Sequence, residues 1–239
     1  MEKLYRTSAA SAFADSKPHY AILDGLRGVA ALTVIWYHVF EGFATSPLDQ
    51  KFNHGYLAVD FFFILSGFVV GYAYDDRWAG RRAGGFLRLM FSFSVGLLMS
   101  RNFRPWKVRG AFWICSAAVI VLLSLPRIGG EGNMWLNGLY EAVCVTCIFP
   151  VLVYMGASGR ISEGLPMKVC RFLGDISYPV YIIHYPFMYL FYVWTFTGVP
   201  FSTAWPWAVA VFAGSIVLAY ILLKVYDDPL RRWLGSRIL

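Results

Sequence analysis

Seven long apolar runs divide this chain and leave it little choice of fold. They occupy about 25–43, 57–74, 86–100, 111–125, 137–156, 178–197 and 205–226. A run of about 20 such residues crosses a hydrocarbon core as a helix, because backbone polar groups must pair within the segment once water is gone. Composition agrees. The 239 residues are 58% hydrophobic and 15% charged, whereas a soluble domain carries roughly 45–50% and 25%. The predicted fold is therefore all-α, a polytopic membrane helix bundle whose surroundings are a lipid bilayer. The net charge of +7 does not argue for a nucleic-acid partner, because the basic residues sit in short loops between apolar runs.

Charge also orders the runs across the membrane. Lys3, Arg6 and Lys17 precede the first, and Lys51 is the sole basic residue of 44–56. The stretch 75–110 holds Arg77, Arg81, Arg82, Arg88, Arg101, Arg104, Lys107 and Arg109; Arg127 stands alone near 126–136. Arg160, Lys168 and Arg171 precede the sixth run, and Arg231, Arg232 and Arg237 close the chain. If the short third run does not span, every basic-rich loop falls on one side. The expectation is six full spans plus one re-entrant or interfacial segment at 86–100, with both termini cytoplasmic. Residues 1–20 form a polar tail without the apolar core of a signal peptide.

Against this apolar background a few polar residues stand out. Arg27 and His38 flank GVAALTVIWY in the first run, and ionisable groups at such depth are costly. Eleven residues at about 100° each return His38 to within about 20° of Arg27, with a rise of about 16 Å. The two read as parts of one site. A neutral imidazole suits general-base chemistry on a hydroxyl; a guanidinium suits phosphate or carboxylate. Each also has a bland reading, as a bundle hydrogen bond and as a positive-inside anchor. Asp60 heads the second run and could orient His38, pair with a cation, or cap the helix dipole. Ser177, Tyr178, Tyr181 and His184 lie on or beside one late helix and read as substrate contacts or as an interfacial belt. Glu141 in the fifth run could be a further substrate contact, or serve polar packing or a proton path. Cys144 and Cys147 form C-x-x-C without a second pair or His ligand nearby, so they read as packing residues and no metal is expected.

LDGLRG leading into the Arg27–His38 pair, then GYLAVDFFFILSGFVVGY, then FLGDISYPVYIIHYP together resemble the acyltransferase 3 family of integral-membrane O-acyltransferases. The strong match covers about 23–78 and 170–190. The resemblance implies an acyltransferase 3-like membrane domain over 21–234. It implies transfer of an acyl group, commonly acetyl, from acyl-CoA to a hydroxyl of a carbohydrate, glycolipid or cell-envelope glycan in the bacterial inner membrane. It implies acyl-CoA, commonly acetyl-CoA, as a substrate and no bound cofactor. Arg27 would bind this donor at the cytoplasmic mouth, His38 would be the catalytic base, and Asp60 lies in a family motif. The chain departs from the pattern near 78–86, where YAYDDRWAGRRAGG runs straight into FLRLMFSFSVGLLMSR. It resembles a family domain internally shortened by about four helices. An inactive remnant or non-catalytic partner subunit is the alternative. A small transporter using Arg27, Glu141 and His184 would need internal repeats, and none is visible.

Overall fold

The computed structural model describes residues 20–44, 46, 48–74, 87–128, 130–161 and 163–238. The expected tail, except Tyr20, and the shortened junction near 78–86 lie outside them. Among the described residues there are seven helices and no strand. They are α1 (Ala21–Glu41), α2 (Ala58–Tyr74), α3 (Leu87–Arg101), α4 (Ala111–Ser124), α5 (Met134–Ser158), α6 (Leu165–Thr195) and α7 (Phe201–Ser236).

The chain is a membrane helix bundle built around α1. Three helices, α1, α5 and α7, are long and apolar enough to cross a membrane; α2 and α4 are shorter apolar helices. The most apolar stretch of α1 is 67% buried, against 22% for those of α5 and α7, so α1 is the central element. Its first half packs into a core with α2, α4 and α5 through Leu23, Leu26, Phe61, Phe112 and Phe149. Its second half joins α6 and α7 through Ile35, Val39, Val180, Phe191 and Ala208.

Helix association in lipid depends on close packing more than on the hydrophobic effect, so small residues mark the contacts. A Cβ on Gly28 of α1 would overlap the Leu173 carbonyl of α6, and Cys170 and Gly174 of α6 press on Gly25 and Asp24. These pairs, followed by Arg27 with Ser177 and Glu41 with Tyr192, show α1 and α6 running parallel. The start of α6 is the largest departure from expectation. The sixth apolar run covers about 178–197, yet the helix begins at Leu165. Its Cys170–Ser177 portion is needed to cover the glycine face of α1.

Helix α3, at 15 residues, is about 22 Å long and short of a core of about 30 Å. It lies along α2 in the same direction. Asp60 meets Ser92, a Cβ on Gly96 would overlap Ile64, and Gly71 faces Leu97 and Ser100. Neighbouring helices joined by a short connection are ordinarily antiparallel. Helix α5 contains a π-turn at Cys144–Ile148, just before Pro150.

Candidate functional site

His38 sits in the last turn of α1, where the i,i+3 spacing brings Glu41 beside it. His38 Nδ1 donates to Glu41 Oε2 at 2.7 Å. From α6, the Tyr192 hydroxyl lies 2.9 Å from the same carboxylate oxygen and 2.9 Å from the His38 carbonyl. The carboxylate that orients the ring is thus itself fixed by a second helix. Because a carboxylate only accepts, the neutral ring carries its proton on Nδ1 and keeps a lone pair on Nε2. That tautomer is the one a general base needs.

The His38 ring borders a cavity of about 400 Å³ lined by Val34, Tyr37, Gly55, Tyr56, Val59, Tyr181, His184 and Tyr185. Four tyrosines and two histidines give it a wall of aromatic faces and hydroxyls. His184 stacks on His38, with ring centroids 5.5 Å apart and 28° between planes. Tyr181 and His184 therefore border the same cavity as His38.

Arg27 faces a different space. Its Nε donates to Ser177 Oγ at 3.0 Å, its Nη2 pairs with Asp24 at 3.0 Å, and the Ser177 hydroxyl donates to the Gly174 carbonyl at 2.7 Å. This group opens into a polar cavity of about 270 Å³ between α1, α6 and α7, with Arg171, Asp175, Tyr178, Asp228 and Arg231 on its walls. Arg27 and His38 share one helix pair but not one cavity. Their common face was legible from the spacing; the intervening rise of about 16 Å is filled by α1–α6 packing.

Asp60 does not touch His38. It accepts from Ser92 Oγ at 3.2 Å and borders a third space, about 460 Å³ between α2, α3 and α5, together with Glu141 and Thr146. Orienting the imidazole, one of the three readings open to Asp60, falls instead to Glu41, because three residues along one helix reach where a neighbouring helix start does not. Glu141 accepts from Tyr56 at 2.5 Å. Tyr56 also lines the His38 cavity, so it is the wall between the two spaces. Glu41 and Tyr192 were missed in the sequence. Glu41 lies within the first apolar run and drew no reading, although H-x-x-E on a helix is a signal for this pair.

Outside the spans, His54 is buried under Tyr140 and donates from Nδ1 to the Leu125 carbonyl at 2.7 Å. Burial pushes its pKa below the ordinary imidazole value, against the Leu125 hydrogen bond and Glu141, which raise it; Arg127 adds to the lowering. The four cysteines carry free thiols, with Cys147 exposed and the others buried. Among the described residues no group of three or more His, Cys, Asp or Glu is arranged to hold a metal ion.

Comparison with known proteins bears on the whole bundle. No solved structure matches the chain. Among curated proteins it is similar to "Protein 2 in picA locus" of Rhizobium radiobacter, 45% identical over 58 residues. That alignment covers 24% of this chain and 28% of the relative, so the chain spans little more than a quarter of the relative's length. The model of the acyltransferase domain family matches in two overlapping pieces, 20–89 and 77–224, which together take in α1 to most of α7. The chain belongs to the acyltransferase 3 family of membrane proteins.

Proposed function

We propose that the chain moves an acyl group, commonly acetyl, from acyl-CoA to a hydroxyl of a carbohydrate or cell-envelope glycan, with His38 as general base. One observation carries the reading: Glu41 holds His38 Nδ1 at 2.7 Å, which leaves Nε2 for a cavity large enough for a small acceptor. His38 Nε2 takes the hydroxyl proton as oxygen attacks the thioester carbonyl. The C–O bond forms, the C–S bond breaks, and the proton passes from His38 to the departing thiolate, giving ester and free CoA.

Arg27 is the donor residue in this reading. Support comes from its place at the end of the bundle rich in basic residues, Arg101, Arg104, Lys107, Arg160 and Arg171 among them, which the positive-inside rule assigns to the cytoplasm. An acyl-CoA would meet Arg27 with its phosphates. Both termini would be cytoplasmic and the bilayer the inner membrane. Glycan O-acetyl profiling of cells expressing the wild type, His38→Ala and Arg27→Ala tests this. New acetyl groups should appear with the wild type, vanish with His38→Ala and fall with Arg27→Ala; equal acetylation in all three would remove both residues from the mechanism.

A second reading, an internally shortened and non-catalytic chain, is favoured by the parallel α2–α3 pair and by the two-piece family match. It is separated from the first by the same profiling, which would then show no new acetyl groups with any variant.

A further inference from the structure

The His38 cavity has a second imidazole whose chemistry is fixed by its partners. His184 Nδ1 donates to the Val180 carbonyl at 3.0 Å. A carbonyl cannot donate, so Nδ1 carries the proton and Nε2 is a lone pair. His184 is 2% exposed, and its Nε2 has no hydrogen-bond partner. A buried acceptor left unpaired is costly, and native structures ordinarily fill such positions. His38 cannot fill it, because its own cavity-side nitrogen is also an acceptor once Glu41 has taken Nδ1–H. Tyr181 and Tyr185 flank the His184 ring at 5.9 and 6.0 Å without bonding to Nε2. Two stacked rings 5.5 Å apart therefore border the cavity as acceptors, the His184 nitrogen covered and unpaired until the side chains beside it move.

A ligand that suits this wall brings two donors on adjacent atoms. Hydrogen bonds of about 2.8 Å from two neighbouring hydroxyls let one small fragment serve both rings. We propose that the acceptor is read as a vicinal diol: one hydroxyl donates to His38 Nε2 and is acylated, and its neighbour donates to His184 Nε2. This rests on the acyl-transfer reading above and deepens it. His184 touches substrate but exchanges no proton with the thioester; it selects the acceptor. Tyr181 and Tyr185, 44% and 45% exposed, are the side chains that turn aside to admit it.

The test is a binding measurement that needs no turnover. Full-length protein labelled with 15N-histidine in detergent is titrated with tetrahydropyran-3,4-diol and, separately, with tetrahydropyran-4-ol. The diol should move the Nε2 resonances of both His38 and His184 and bind about tenfold more tightly than the mono-alcohol, the worth of one added hydrogen bond. His184→Leu should abolish that preference, and His184→Gln, whose amide oxygen accepts, should restore part of it. The His54 resonances report that each variant is folded. Equal binding of the two probes by the wild type, or a diol preference that survives in His184→Leu, overturns the proposal. Tighter binding of 4-aminotetrahydropyran-3-ol than of the diol also overturns it, in favour of an amine acceptor. Acetyl transfer from acetyl-CoA by the same samples judges the functional reading separately.

Discussion

Replacing Glu41 with Gln tests how the base is made. The carboxylate holds the imidazole proton on Nδ1 at 2.7 Å and is braced by Tyr192 at 2.9 Å. A hydrogen bond to a charged group is worth about 1.5–3 kcal/mol. The Glu41 side chain is 43% exposed, which places the loss near the lower end, about 1.5 kcal/mol. At about 1.4 kcal/mol per decade, that is about a tenfold fall in the rate of acyl transfer. It is a minimum, because an amide can also donate to Nδ1, which moves the ring proton to Nε2 and removes the base. Tyr192→Phe leaves the carboxylate in place but unbraced, at a cost of about 1 kcal/mol or about fivefold. The assay is transfer of labelled acetyl from acetyl-CoA by membranes normalised for folded protein, with kcat separated from KM. The loss should fall on kcat. A Glu41→Gln protein with wild-type kcat would refute the argument that this carboxylate sets the His38 tautomer.

Three further outcomes are expected. Gly28→Ala places a methyl against the Leu173 backbone, so size-exclusion profiles in detergent should show lost or aggregated protein, with a destabilisation of at least about 1–3 kcal/mol; an unchanged melting temperature would contradict the α1–α6 packing. Asp60→Asn keeps a partner for Ser92 and should change acetyl transfer less than Glu41→Gln does. His54 is held below the ordinary imidazole value by burial, so the unfolded chain takes up a proton first as pH falls. The stability from its neutral form is whole above about pH 6.5 and is lost progressively below it. The melting temperature should drop between pH 7 and 5, and His54→Asn should flatten that slope.

What the sequence revealed follows the physics of each segment. Helices α1, α2 and α4 announced themselves because uninterrupted apolar residues have no other stable form in lipid. The face shared by Arg27 and His38 was a matter of counting. Their separation into two cavities was not, because it depends on Ile176 and Val180 of α6 packing with Ile35 of α1 in the turns between. The start of α6 was hidden for a related reason: Asp175, Ser177 and Gly174 look like a loop until the glycine face of α1 is there to receive them. Glu41 escaped notice because an acid at the end of an apolar run ordinarily marks the water boundary. The direction of α3 could not be read at all, since it is set by Gly67 and Gly96 meeting across the α2–α3 contact.

The central claim is that His38 is the base of an acyl transfer. Its most direct test is labelled acetyl transfer from acetyl-CoA to cell-envelope glycans by membranes holding equal amounts of folded wild-type or His38→Ala protein. The account predicts transfer with the wild type and none above the empty-membrane background with His38→Ala. Equal transfer by the two proteins would contradict it.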